Sequence, residues 1–146
     1  MSAFRGRNVI NGTWAELYWN NKKIMELSKY SAKINAERED IPIGMSMDSK
    51  LTITKGEGSL EIKKVYSRYK KEVLDAYKRG EDVRFNMLVR IKDPDAIRKQ
   101  AESHSIDNIW FNEFPVAEFE QKTPMNEEWT FGFTPEDVDI IEEIKE

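Results

Sequence analysis

The chain has 146 residues, 39% hydrophobic and 34% charged, with a formal net charge of −4, a pI near 5.3 and no cysteine. The length suits a single domain spanning 1–146, and the acidic balance excludes a general nucleic-acid binder. Without thiols there are no disulfides, thiolate nucleophiles or Cys-based metal sites, and no apolar run is long enough to cross a membrane as a helix.

So lean an apolar share implies a small core, or burial shared with neighbouring molecules. The N-terminus lacks the apolar centre of a signal peptide, so cytosolic synthesis is the default. Residues 1–13 are polar, basic and glycine-containing, and are expected to form a flexible arm carrying Arg5 and Arg7. From Trp14 to Trp19 the pattern alternates, with Ala15, Leu17 and Trp19 on one face. Asn20-Asn21 supplies residues that tolerate positive φ, so a tight hairpin turn follows. The return strand, roughly Ile24 to Ile34, sorts its faces poorly: apolar positions are interrupted by Glu26, Ser28, Lys29 and Lys33. Such a strand is expected to leave its own core partway.

Residues 35–49 show no sustained period. A charge cluster (Glu37, Arg38, Glu39, Asp40) precedes an apolar run containing Ile41, Ile43 and Met45. The expectation is a long loop that docks on something, since structureless loops of this length are otherwise uncommon. Lys50–Thr54 and Ser59–Tyr66 read as two strands meeting at Gly56-Glu57-Gly58. A helix is predicted at about 67–79, capped by Ser67 and closed by Gly80. From Val83 to Ile91 the alternation is strict, with Val83, Phe85, Met87, Val89 and Ile91 inward. Asp93-Pro94-Asp95 breaks that strand, and Ala96 to Glu102 suits a turn of helix. Further strands are predicted at His104–Phe111, Phe114–Phe119 and Met125–Phe133, then a helix start at Pro135 and an acidic tail over 135–146. The sum is a mainly β chain: an antiparallel β-sandwich or barrel of seven or eight strands with one packed α-helix.

Reactive chemistry is sparse. His104, the single histidine, lacks the neighbours of a triad or a metalloprotease motif and reads as a solvent-facing strand residue. Metal binding fails on ligand supply, so no metal and no cofactor are expected. A carboxylate pair among Glu113, Glu118, Glu120, Glu127 and Glu128 is the one formal enzyme option, and it is disfavoured.

The order strand, Gly56-Glu57-Gly58, strand ending Lys64-Val65-Tyr66-Ser67, helix ending Tyr77-Lys78-Arg79-Gly80, and alternating strand closing at Lys92-Asp93 resembles a known family. It is similar to the tail-tube proteins of contractile phage tails, specifically the PBSX-like (XkdM) type, as also found in R-type bacteriocins. Asn11-Gly12-Thr13 before the first strand, and Trp129-Thr130-Phe131-Gly132-Phe133 before an acidic end, fit as well. The resemblance implies a structural protein, not an enzyme. Its hexameric rings would stack into a hollow tube, with an inner barrel completed by strands from all six subunits. It implies synthesis in the bacterial cytoplasm and assembly with sheath, baseplate or tube-initiator and tape-measure proteins. DNA would be transient cargo in a phage, sliding past a negatively charged wall, and the assembled tube would penetrate a target membrane. By the same resemblance Glu37, Arg38, Glu39, Asp40, Ile41, Ile43 and Met45 form an inter-ring contact loop. Arg5 and Arg7 form an inter-subunit arm, and Glu26, Ser28, Lys29 and Lys33 face the lumen. Two rival readings stay open here: the tube protein of a type VI secretion-like system, and a monomeric β-barrel holding an apolar ligand among Trp14, Trp110 and Trp129.

Overall fold

The computed structural model describes residues 4–146. Eight strands and one α-helix follow in the order β1 (Ala15–Trp19), β2 (Lys22–Lys23), β3 (Leu27–Ile43), β4 (Ser46–Lys63), α1 (Lys70–Lys78), β5 (Phe85–Ile91), β6 (Glu102–Glu113), β7 (Asn126–Phe133) and β8 (Val138–Glu142). All pairings are antiparallel. One layer runs β2-β1-β5-β6-β8 and the other β3-β4-β7-β6, so β6 belongs to both. It pairs with β5 as far as Ile109 and with β7 from Trp110, and Asn108 at the corner has φ 59°. A β-sandwich with one packed helix is therefore the fold.

The core lies between the layers and is mostly aromatic. Trp19 is fully buried, its ring centroid 4.6 Å from Tyr69, 5.1 Å from Trp129 and 5.2 Å from Phe111. Several of these pairs are edge-on, the arrangement that the ring quadrupole favours. The predicted alternations of β1 and β5 hold: Leu17 and Trp19, then Phe85, Met87 and Val89, are buried. Asn20 and Asn21 take φ 50° and 67°, as a two-residue hairpin turn requires.

The helix starts later than its sequence suggests. Ser67 Oγ accepts from Lys64 Nζ (3.1 Å) and does not cap, whereas Tyr69 precedes the first turn at φ 55°. Its ring stacks on Trp19 and its hydroxyl donates to the Trp19 carbonyl at 3.2 Å, so burial of the aromatic ring sets where the helix begins. Lys70 then pairs with buried Glu127 of β7, which Lys64 also approaches at 3.4 Å. Glu127 is thus a packed structural carboxylate, removed from any catalytic pair.

Four further expectations are corrected. Residues 35–49 are not a loop but the outer half of the β3–β4 hairpin, turning at Gly44 with φ 60°. Gly56-Glu57-Gly58 does not join two strands; it lies inside β4. The Phe133 ring lies against Gly56 and the Phe131 ring against Gly58, each within 2.4 Å of where a Cβ would stand. Glycine here marks close approach of another group rather than a turn. Residues 114–119 are not a strand: Val116 and Phe119 are exposed, while Phe114 packs on the core and Pro115 is buried. Past Pro135 the chain makes one 3-10 turn and then β8, because β6 offers an open edge that Val138–Glu142 fills.

The predicted flexible arm is also corrected where it is described; residues 1–3 lie outside the described residues. Residues 5–14 form two 3-10 turns fastened to the segment after β5. Buried Asp93 accepts from the Asn11 amide (2.9 Å), and Asn8 donates to the Asp95 carbonyl (3.0 Å).

Replacing Gly58 with Ala sets a methyl against both the Phe131 ring and the Ser31 carbonyl, at 2.4 and 2.5 Å. It should destabilise the subunit by about 1–3 kcal/mol through overpacking, read as a lower urea midpoint with an unchanged slope.

Candidate self-assembly surfaces

Three surfaces of the subunit are unfinished. The first is the ribbon made by the outer halves of β3 and β4. From Ile34 and Gly56 outward these strands pair only with each other, since β7 stops at Phe133 opposite Gly56. At the usual rise, residues 35–43 carry the tip about 30 Å beyond the sandwich. A one-residue bulge in β4 between the Glu37–Ile53 and Arg38–Leu51 pairs leaves Thr52 unpaired in register, its hydroxyl on the Glu37 carbonyl (3.0 Å). Opposite residues share a face. One face, continuous with the core side, carries Ile34, Ala36, Arg38, Asp40 and Pro42 with Leu51 and Met47. The other carries Glu37, Glu39, Ile41 and Ile43 with Ile53, Lys50 and Asp48. Met45 stands at the turn, fully exposed. The predicted contact residues Glu37, Arg38, Glu39, Asp40, Ile41, Ile43 and Met45 thus lie together on the ribbon, divided between its two faces and its tip.

The second surface is the solvent face of the β3-β4-β7-β6 layer. Lys29 stands opposite Glu61 and Glu61 opposite Glu128; Ser31, Ser59 and Thr130 form the next row; Lys33 and Glu57 form the third. Asn35 and Lys55 follow, Asn35 donating to Glu57. Lysines of β3 face glutamates of β4 across the strands, so the face is charge-mixed rather than uniformly negative. Trp110 closes the third row: its ring covers Gly132, its indole donates to Asn112 Oδ1 (3.1 Å), and the Arg84 guanidinium lies 4.8 Å from its centroid. Neither edge of this layer has a further strand partner among the described residues: β3 on one side, and β6 over Trp110–Glu113 on the other, where the Phe111 carbonyl accepts from the Tyr77 hydroxyl (2.6 Å).

Of the predicted lumen residues, Lys29 and Lys33 lie on this polar face. Ser28 is exposed at the bulge where β3 begins. Glu26 is a correction, because it precedes β3 and forms a largely buried, two-pronged ion pair with Arg68. The Arg68 hydrogen bond holds its carboxyl below the usual range against the opposing effect of burial, and raises the guanidinium in return. Glu57, Glu61 and Glu128 were missed as partners of the lysines. The signal was present as a period of two, Lys55-Glu57-Ser59-Glu61, running through the glycines.

The third surface is an open cleft of about 800 Å³ beside the start of β3, walled by Ile24, Leu27, Tyr30, Val89, Ile91 and His104. His104 is half-buried here, not solvent-facing, and desolvation holds its pKa below the usual value, partly opposed by Glu102. Tyr30 is buried deeply enough that its hydroxyl pKa is pushed well up. None of the tryptophans lines this cleft. Trp129 is sealed in the core, Trp110 is on the polar face and Trp14 is half-exposed, so the three do not surround a common ligand space. Arg5 and Arg7 are exposed on the fastened N-terminal segment. Among the described residues, no group of three or more His, Asp or Glu side chains is placed to hold a metal.

The chain thus combines a sandwich with one polar face, two sheet edges without strand partners and a projecting ribbon. Solved structures agree in fold. A chain of the anti-feeding prophage tube-terminating cap superposes with a TM-score of 0.68 at 10% identity, covering 97% of both chains. A chain of the sheath-tube complex of the extracellular contractile injection system PVC gives 0.68 at 8% identity, covering 93% of this chain and 92% of that one. Hcp1 from Flavobacterium johnsoniae gives 0.58 at 12% identity, covering 90% and 99%. Among curated proteins no sequence matches. The family model described as "Phage tail tube protein" matches residues 2–142, and the chain belongs to that family. It is a phage tail tube protein by family, and it shares its fold with chains of contractile injection systems.

The Glu26–Arg68 pair gives a pH test. Because the folded carboxyl lies below its unfolded value, the contribution is fully present above pH ~4.5 and is lost as pH falls through the depressed folded value. Arg68→Ala strands a buried carboxylate and should cost about 3–5 kcal/mol at pH 7. The loss should shrink at pH 3 and in the Glu26→Gln background, as chemical denaturation would show.

Proposed function

We propose that six copies close into a ring in which the β3-β4-β7-β6 layers form one continuous inner barrel around a bore. The β3 edge of each subunit would meet the Trp110–Glu113 edge of the next. The observation that carries this reading is one sheet with a charge-mixed polar face and both edges unpaired. Open edges are an aggregation hazard unless pairing is their purpose, and repeated heterologous pairing closes into a ring when the rotation allows it. Rings would stack through the ribbon, with Glu37, Arg38, Glu39, Asp40, Ile41, Ile43 and Met45 as the contact set. Arg5, Arg7 and the acidic residues after Pro135 would supply complementary charges between rings or toward a sheath.

The function is then mechanical. Sheath contraction drives a rigid tube through a target membrane, and the bore conducts cargo or leaks ions. A wall of alternating lysine and glutamate offers no strong field to retain a polyanion, so DNA would pass without sticking. The order of motifs supports the PBSX-like type shared by defective prophages and R-type bacteriocins. Baseplate or initiator, tape-measure and sheath proteins would be the other partners, after synthesis in a bacterial cytoplasm.

The register supplies a clean test. Ala36 and Thr54 are cross-strand partners, so replacing residues 37–53 by Asn-Gly should close a two-residue hairpin without disturbing the sandwich. Co-expressed with its sheath and baseplate, the shortened subunit should unfold cooperatively like the parent yet form no tubes in negative stain. Normal tubes from this variant would overturn the ribbon assignment. Uniform small particles from the parent, in the same co-expression, would overturn the tube itself.

A further inference from the structure

The cleft beside the start of β3 and the apolar tip of the ribbon are the two ends of one long strand. Thirteen residues separate Tyr30 from Ile43, about 40 Å of extended chain, so the tip cannot reach the cleft of its own subunit. The cleft wall is mostly aliphatic, from Ile24, Leu27, Val89 and Ile91, with Met25 exposed on its lip. The tip presents aliphatic side chains of matching kind: Ile43, Met45 and Met47 are all more than half exposed. Charges match as well. Lys23, Lys29 and Glu16 stand at the cleft; Lys23 pairs with Glu16 at 3.2 Å, while Lys29 makes no ion pair among the described residues and leaves one positive charge there. On the ribbon the four acids Glu37, Glu39, Asp40 and Asp48 outnumber the three bases Arg38, Lys50 and Lys55, and none of these acids is ion-paired among the described residues.

We propose that the tip of each ribbon seats in the Ile24–Leu27–Val89–Ile91 cleft of a second copy in the adjacent ring. This rests on the stacked-ring reading and names its acceptor. Donor and acceptor are different surfaces at opposite ends of the chain, so the contact is heterologous and open-ended, and propagates a stack instead of closing a pair. Burial of the aliphatic tip supplies the attraction, and lysine facing acid fixes which way the ribbon enters.

The cysteine-free chain allows a direct test. Met25→Cys and Met45→Cys both fall on strongly exposed positions and should leave the subunit fold unchanged. Tubes of the double variant treated with a short bismaleimide should give a covalent ladder of two, three and more chains on denaturing gels. Either single variant should stay monomeric on the gel, since its one cysteine then faces a methionine. In parallel, Met45→Asp should raise the protein concentration needed for tube growth by about tenfold or more, since a charge would enter an apolar cleft. Double-variant tubes without a ladder overturn the acceptor assignment while leaving the tube intact. Dimers from the Met45→Cys variant alone, which would set tip against tip, also overturn it. Absence of tubes from the parent chain overturns this proposal together with the reading beneath it.

Discussion

The fold depends on the contact between two phenylalanines and two glycines. Phe131 and Phe133 of β7 lie directly across Gly58 and Gly56 of β4, where any side chain would collide with the rings. That contact buries both rings at the edge of the core while leaving β4 flat enough to run on past β7 without a break. One strand of 18 residues therefore serves two structures: its last eight residues, from Gly56, are sandwich and its first ten are ribbon. A bulky residue at either position would force β4 away from β7, and the ribbon would lose the base from which it projects.

This arrangement explains the chain's lean composition. A subunit with two open sheet edges and a solvent-exposed ribbon cannot bury as much apolar surface as a closed barrel of equal length. Its core is compensated by size rather than number, through Trp19, Trp129, Phe85, Phe111 and Phe131 in mutual contact. The exposed aliphatics on the ribbon, Ile34, Ile43, Met47, Leu51 and Ile53, are its apolar complement. They lie where the strand pair has no third strand to cover it. The bulge at Thr52 adds local twist there, which turns the ribbon's faces relative to the sheet they continue.

Much of the sandwich was legible in the sequence, because half-buried strands write their burial as a period of two. β1, β5 and β7 were read in this way, and the Asn20-Asn21 turn was read from residues that tolerate positive φ. The ribbon was not legible for a physical reason. A strand pair exposed on both faces has no inside, so Glu37 through Met45 show no period, and absence of period reads as a loop. The glycines misled for the opposite reason: a residue that commonly marks turns was here making room for aromatic rings. Tyr69 displaced the helix start because core burial outweighed local capping preference. For the candidate surfaces, Lys29 and Lys33 were found on the polar face, whereas Glu26 was lost to Arg68, a partner 42 positions away in the chain that no local pattern reveals.

The segment following β5 ties both ends of the described chain. Asp93 and Asp95 hold Asn11 and Asn8, while Arg98 and Gln100 hold the backbone of Lys145 and Glu146 at 2.6 to 2.9 Å. Head and tail thus meet across a single eight-residue buckle, remote in sequence from the ribbon. Topologically the polypeptide is nearly circular. A permuted gene in which the two described ends were joined by a short linker, and which began instead at Met45, would encode the same sandwich with its ribbon split at the turn.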